Sequence, residues 1–199
     1  MKQLVLASNN AGKIREIRAI LAPLDIEVVP QSHYGVPEAD EPHPTFIENA
    51  LAKARHASVH TGLAALADDS GICVDALNGA PGVHSARFAG EPKSDERNNR
   101  HLVHLLANTD NRSAHYYCVM VLVRHPHDPQ PVIAEGQWHG EVLRAPRGSG
   151  GFGYDPLFLD PLLGQTGAEL TLEAKNRISH RGKALAVLVE RLASTRHAL

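Results

Sequence analysis

The sequence predicts an α/β domain built around a mixed β-sheet. Apolar strand-like runs alternate with helix-period segments through the first half of the chain, two consecutive strand-like runs follow, and helical periodicity returns at the end. No linker-like stretch, internal repeat or low-complexity tract divides the 199 residues, so one domain over residues 1–199 is expected.

Gln3 to Ala7 reads as a short buried strand, and Ile14, Ile17 and Leu21 recur at helical spacing after it. The small polar residues Ser8-Asn9-Asn10-Ala11-Gly12 form the loop between them. Ile26 to Val29 is a second strand, followed by a Pro- and acid-rich connection from Val36 to Pro44. Thr45-Phe46-Ile47-Glu48 fits a capping box, with Thr45 as N-cap and Glu48 reaching back. The helix it opens runs to about His60, burying Phe46, Ile47, Ala50, Leu51, Ala54 and Ala57, and Gly62 closes it. Its polar stripe carries Asn49, Lys53, His56 and His60. Leu63 to Ala67 is a buried strand that stops at Asp68-Asp69-Ser70-Gly71. Ser94 caps a helix running to Leu106, with Asp95 and Glu96 in its first turn. His115 to Arg124 and Pro131 to Leu143 read as two strands joined by the turn His125-Pro126-His127-Asp128-Pro129. A glycine cluster, Gly148 to Gly153, precedes Tyr154-Asp155-Pro156, and the last helix, from about Arg181 to Leu192, buries Ala184, Leu185, Leu188 and Leu192.

Composition narrows the function. Lys plus Arg total 20 against 22 Asp plus Glu, a net charge of -2, which argues against wrapping nucleic acid or lying on an anionic membrane. Cys73 and Cys118 are far apart and outside any CxxC frame, so reduced thiols are expected rather than a disulfide scaffold or a zinc ribbon. The apolar run Leu4-Val5-Leu6-Ala7 is too short for a signal peptide core, and no run approaches membrane-spanning length. A soluble, unexported, cytoplasmic protein is the expectation. The 13 histidines are scattered, and the excess reads as composition rather than a metal site.

Four constellations could carry chemistry. Ser8-Asn9-Asn10-Ala11-Gly12-Lys13 invites a P-loop reading, but Ala7 stands where the first glycine belongs and Ile14 where the magnesium-binding hydroxyl belongs. The Walker A frame therefore fails. Free N–H groups at a helix N-terminus, the positive dipole end and Lys13 still make an anion site, while an ordinary turn with Asn10 as cap and Lys13 solvated fits equally well. Glu38, Asp40 and Glu41 in one loop, with Asp68-Asp69 at a strand end, offer carboxylates from two segments, as magnesium prefers alongside waters and substrate phosphates. Solvated loop acids are the alternative, and successive strand residues face opposite ways, so Asp68 and Asp69 need not share a site. Lys175-Asn176-Arg177-Ile178-Ser179-His180-Arg181 precedes the last helix, where Arg181 and Lys183 in the first turn oppose the helix dipole, or fan into solvent. Each costs ~0.3–1 kcal/mol unless something electron-rich lies opposite. Phe152, set among glycines ahead of Tyr154 and Asp155, can stack on a nucleobase or pack in the core.

Together these blocks resemble the inosine triphosphate pyrophosphatase family, most closely its bacterial dITP/XTP pyrophosphatases. Further carriers are Thr45-Phe46-Ile47-Glu48-Asn49-Ala50, Ala67-Asp68-Asp69-Ser70-Gly71, Gly79-Ala80-Pro81-Gly82, Ser85-Ala86-Arg87, Gly150-Gly151-Phe152-Gly153-Tyr154-Asp155-Pro156 and Ile178-Ser179-His180-Arg181-Gly182. The resemblance implies an elongated mixed sheet flanked by helices, two lobes with a central cleft, and a homodimer. It also implies magnesium-dependent hydrolysis of deaminated purine nucleoside triphosphates (ITP, dITP, XTP) to monophosphate and pyrophosphate, clearing them from the nucleotide pool.

Carried over, Ser8, Asn9, Asn10, Ala11, Gly12 and Lys13 hold the triphosphate, and Lys53 is placed to reach the same phosphates. Asp69 binds magnesium and acts as base for the water attacking the α-phosphorus; Glu41 is the second metal carboxylate and Asp68 a weaker candidate. Ser70 contacts substrate, and Phe152, Gly153, Tyr154, Asp155, Lys175, His180 and Arg181 line the base and sugar end. Arg181 suits selectivity, since its donors match the O6 and N7 acceptors of hypoxanthine and xanthine but face a donor on adenine. A pyrophosphatase for modified or pyrimidine nucleotides, a nucleotide sensor without catalysis and a nucleic-acid module are the rivals, the last disfavoured by the balanced charge.

Overall fold

The structure, a computed structural model, describes residues 2–24 and 26–194. Its strands are β1 (Lys2–Leu6), β2 (Ile26–Pro30), β3 (Ala65–Val74), β4 (Ser113–Val123), β5 (Val132–Val142), β6 (Phe158–Asp160) and β7 (Gln165–Thr166). The α-helices are α1 (Ala11–Leu21), α2 (Phe46–Thr61), α3 (Asp95–Leu105), α4 (Leu172–Ile178) and α5 (His180–Ser194), with short 3₁₀ turns between some of them. The strands form one sheet in the order β2-β1-β3-β4-β5-β6-β7. β1 runs parallel to β2, with Leu4 opposite Val28, and parallel to β3, with Val5 opposite Ala65. β5–β6 and β6–β7 are antiparallel, with Glu141 opposite Leu159 and Leu159 opposite Thr166. The sheet is therefore mixed, as the order of elements in the sequence predicts.

The chain divides into two compact units. The first holds the chain up to Asp69, Cys118–Gly136 and the segment from His180; the second holds Ser70–Tyr117 and Gln137–Ser179. The boundaries fall inside β3, β4 and β5 and between Ser179 and His180, where α4 gives way directly to α5. Each has its own core. Leu4, Leu6, Ile17, Leu66, Met120 and Leu185 belong to the first, and Ile72, Leu102, Tyr116, Trp138, Tyr154 and Phe158 to the second. Among the described residues, no helix is long and apolar enough to cross a membrane.

The caps of α2 follow the predicted chemistry. Thr45 accepts from the Glu48 amide and Gly62 closes the helix at φ 69°. Glu48 reaches back to the Thr45 hydroxyl, at 2.5 Å, rather than to its amide. The buried stripe differs from expectation. Ile47 is 38% exposed, Phe46 and Leu51 are only partly buried, and Asn49 and Ser58 are buried beside Ala50, Ala54 and Ala57. The polar residues of this helix are committed to partners: Asn49 reaches His43 and Asp69, and Lys53 reaches Asp69.

Three predicted boundaries require correction. Asp68-Asp69-Ser70-Gly71 does not end a strand: β3 continues through it to Val74. β6, β7 and α4 lie outside the predicted elements, being three, two and seven residues long and too short for a periodic signature. Lys175 to Ile178 lie within α4 rather than in an approach to the last helix, which begins at His180.

Gly136 on β5 fixes where that last helix starts. A Cβ there would stand 2.1 Å from the His180 carbonyl oxygen and 2.6 Å from the Ala184 nitrogen, both backbone atoms that cannot swing aside. Gly136→Ala should therefore lower stability by ~1–3 kcal/mol through overpacking. Urea unfolding measures this, and a wild-type midpoint would contradict the close approach.

Candidate active site

Strand alternation sends the adjacent side chains of Asp68 and Asp69 to opposite faces of β3. Both are buried, at 1% and 6% exposure. A buried carboxylate persists only if paired, and each has its own cations. Asp68 receives two guanidinium nitrogens of Arg181, at 3.1 and 3.3 Å, and the Lys13 ammonium at 3.0 Å. Arg181, 2% exposed, also reaches Glu16 at 2.5 Å. Asp69 faces Lys53 at 2.9 Å, and the same ammonium lies 2.6 Å from Glu41. Asn49 donates to Asp69 at 3.5 Å.

The ion pairs thus fall into two chains. In Glu16–Arg181–Asp68–Lys13, Asp68 lies against two cations and Arg181 against two carboxylates. In Glu41–Lys53–Asp69, one ammonium is shared by two carboxylates. The titration behaviour follows. Burial would raise the Asp68 carboxyl, but Lys13, Arg181 and Lys53 outweigh it and hold it well below the usual carboxylate range. Burial raises the Asp69 carboxyl above its ordinary value against the opposing pull of Lys53 and Lys13, and Glu41 adds to the rise. Lys53 would be lowered by burial, yet Asp69, Glu41 and Asp68 carry it up to about 12, so it stays protonated.

The loop before α1 is capped from within. The Asn10 side chain accepts from the amides of Gly12 and Lys13, at 2.9 and 3.1 Å, and its own amide donates to the Ser8 hydroxyl. The capping half of the ordinary-turn reading is thus correct. Its other half is not, because Lys13 lies on Asp68 rather than in solvent. Asn9 reaches across to Glu38 at 3.2 Å.

Helix α2 carries the acid loop. His56 contacts the Pro37 carbonyl, and Asn49 bonds both the amide and the carbonyl of His43, so residues 37–43 are held at both ends with Glu41 between them. The predicted polar stripe of this helix is therefore a row of working contacts.

In the second unit the remaining predicted residues gather around Asp155, 2% exposed. It accepts from Lys175 at 2.6 Å and from the Phe152 amide at 2.9 Å, and the Lys175 ammonium sits 4.7 Å from the Phe152 ring centre. A Cβ at Gly151 would meet this carboxylate at 2.1 Å and one at Gly167 at 2.8 Å, so the glycines let the loop close over it. Gly153 is gripped by α3, its amide donating to Asp95 at 2.7 Å and its carbonyl accepting from Asn99 at 2.8 Å. Tyr154 is buried, with its hydroxyl on the Ser85 carbonyl at 2.8 Å. Ser70, partly buried, begins this unit on β3.

A family model described as the Ham1 family matches residues 4–191. The chain belongs to the Ham1 family. Among Ham1 relatives, the dITP/XTP pyrophosphatase of Nitrosomonas europaea is 68% identical over 97% of this chain and 95% of its own length. That of Ralstonia nicotianae is 65% identical over 96% and 97%. Among solved structures, a HAM1 protein from Coxiella burnetii aligns with a TM-score of 0.90 at 46% identity, covering 98% of this chain and all of that one. The nucleoside-triphosphatase / dITP/XTP pyrophosphatase of Mycobacterium abscessus aligns at 0.72 and 42% identity, over 94% and 98%. The family resemblance read from the motifs is borne out.

Within this Ham1 chain, the predicted Lys13, Glu41, Lys53, Asp68, Asp69 and Arg181 come together in the first unit, and Phe152, Gly153, Asp155 and Lys175 in the second. The electron-rich partner that the cation of Arg181 requires is present, but it is protein: Glu16 and Asp68. His180, 4% exposed, opens the same helix. Sequence reasoning missed Glu16, Asp95 and Asn99 as partners. The first lies on the helix after Lys13 at a spacing, i and i+3, that shares its face, the one signal that could have found it.

Because Arg181 neutralises two buried carboxylates, Arg181→Met should cost ~3–5 kcal/mol, whereas Arg181→Met combined with Glu16→Met should recover part of that loss. Urea unfolding of the two singles and the double gives the coupling. Additive losses would mean that the pair is not energetically linked.

Proposed function

We propose that this protein hydrolyses deaminated purine nucleoside triphosphates (ITP, dITP and XTP) to the monophosphate and pyrophosphate, removing them from the pool available for incorporation into nucleic acid. The activity rests on relatives at 65–68% identity that carry the dITP/XTP pyrophosphatase name. The observation that carries the chemistry is the Lys53 ammonium shared by two carboxylates, Glu41 and Asp69.

Asp68 is held between Lys13 and Arg181, and the two carboxylates that share Lys53 are where a divalent cation fits. Among the described residues, no three His, Cys, Asp or Glu side chains are grouped to hold a metal unaided. Two carboxylates, Glu41 and Asp69, suit magnesium, which keeps waters and takes substrate phosphates for its other positions. Magnesium, when bound there, supplies charge neutralisation to the phosphate oxygens. Asp69, its carboxyl raised by burial, accepts the proton of the water that attacks the α-phosphorus, and the bond to the bridging oxygen of pyrophosphate breaks. Lys53, protonated throughout, steadies both carboxylates. Lys13 and the loop from Ser8 to Gly12 offer an ammonium and helix-end amides to phosphate. Ser70 is assigned to substrate contact. In the second unit, Phe152 offers a ring face, and Lys175 and Asp155 hold the Phe152–Asp155 segment in shape for base and sugar. A homodimer and a cytoplasmic setting belong to the same proposal, resting on the resemblance and the two free cysteines.

Selectivity is assigned to donors that match O6 and N7. Arg181 retains that role in the proposal, with the added requirement that substrate draws a guanidinium nitrogen away from its carboxylates.

Pyrophosphate release from ITP should require magnesium and stop on chelation. Asp69→Asn should still bind ITP but lose ~10²–10⁴-fold in turnover, the range expected for a general base. Near-normal turnover would remove Asp69 from that role, and equal turnover of ATP and ITP would overturn the substrate class. Arg181→Lys should erode the preference for ITP over ATP. An unchanged ratio would confine Arg181 to the internal ion chain.

A further inference from the structure

Helix α2 continues past Lys53 into a histidine pair one turn apart, His56 and His60. Residues at this spacing share a helix face. Their ring centres lie 4.3 Å apart with planes inclined at 48°. The Nε2 of His56 is 3.0 Å from the Pro37 carbonyl oxygen, and the Nδ1 of His60 is 2.9 Å from the His56 carbonyl oxygen. A carbonyl only accepts, so in the neutral rings the proton sits on Nε2 of His56 and on Nδ1 of His60. The other nitrogen of each ring, Nδ1 of His56 and Nε2 of His60, then carries a lone pair.

This is how metal-ligating histidines are held: one ring nitrogen donates to a carbonyl or carboxylate, which fixes the tautomer and orients the other toward the metal. Among the described residues, no other histidine pair has both rings anchored this way.

We infer that His56 and His60 form a two-imidazole site for a divalent transition metal of the zinc, nickel or copper class. Imidazole suits these ions, whereas magnesium prefers oxygen, so the site is chemically separate from Glu41 and Asp69. In a tetrahedral chelate with metal–nitrogen bonds of ~2.0–2.1 Å, the two ring centres stand about 5 Å apart. The rings, 4.3 Å apart, need only a small separation to chelate, and the exposed His60 ring is the one with room to move. Protein supplies two ligands and water the rest. The His56 bond to Pro37 also means that an occupied site is tied to the start of the loop that carries Glu41.

Calorimetric titration of the untagged full-length chain with Ni²⁺, in excess magnesium to keep the carboxylates out of play, tests this. The tightest class should be one Ni²⁺ per chain. His56→Gln and His60→Gln should each weaken it by ~10-fold or more, because a lone imidazole loses the intramolecular second contact. Gln at 56 can still donate to Pro37, and His60 is exposed, so both variants should fold; circular dichroism checks this. His101→Gln and His115→Gln should leave the affinity unchanged, and imidazole nitrogen resonances of His56 and His60 should shift on metal addition. Wild-type affinity in both α2 variants, or a loss that follows His101 or His115 instead, would overturn the inference.

Discussion

Two neighbouring carboxylates lie in the interior of a sheet strand, and most of the first unit answers to that constraint. Burying an ion costs several kcal/mol even after relaxation, and strand geometry points the two carboxylates apart, so each has its own contacting cation. Three helices therefore converge on β3, each bringing one cation: α1 brings Lys13, α2 brings Lys53 and α5 brings Arg181. The helices are placed where their basic residues are needed, and their apolar faces complete the core around that placement. Gly136 belongs to the same requirement, since it lets the start of α5 seat directly on β5.

The two carboxylates are held differently. Asp68 lies against Lys13 and Arg181 and is held ionised. Asp69 shares Lys53 with Glu41. The second unit repeats the device on a smaller scale. Asp155 accepts from Lys175 and from a backbone amide, and two glycines admit the surrounding chain to its oxygens. In both units a buried acid organises the chain around it.

Local chemistry in the sequence was enough for the features that are themselves local. Thr45 and Gly62 bound their helix because a hydroxyl cap and a left-handed glycine act within one turn. The stripe Asn49, Lys53, His56 and His60 was visible from helical spacing, and the divergence of Asp68 and Asp69 from strand parity. What the sequence concealed depends on distant partners. Asp-Asp-Ser-Gly reads as the end of a strand, because the cations that pair its buried carboxylates lie elsewhere in the chain. The guanidinium that pairs the buried Glu16 is 165 residues away. Arg181 broke a local rule about helix dipoles, and that violation was the one sequence trace of the long-range pair.

The self-capped loop before α1 bears on how a ligand leaves. With the Asn10 oxygen on the Gly12 and Lys13 amides, the helix end has acceptors of its own. An anion that takes those amides exchanges one acceptor for another, so its net hold is the difference between two sets of bonds. When it departs, the side chain returns and no donor is stranded. Such an end trades grip for reversibility, which suits a protein that must let go of pyrophosphate after every cycle.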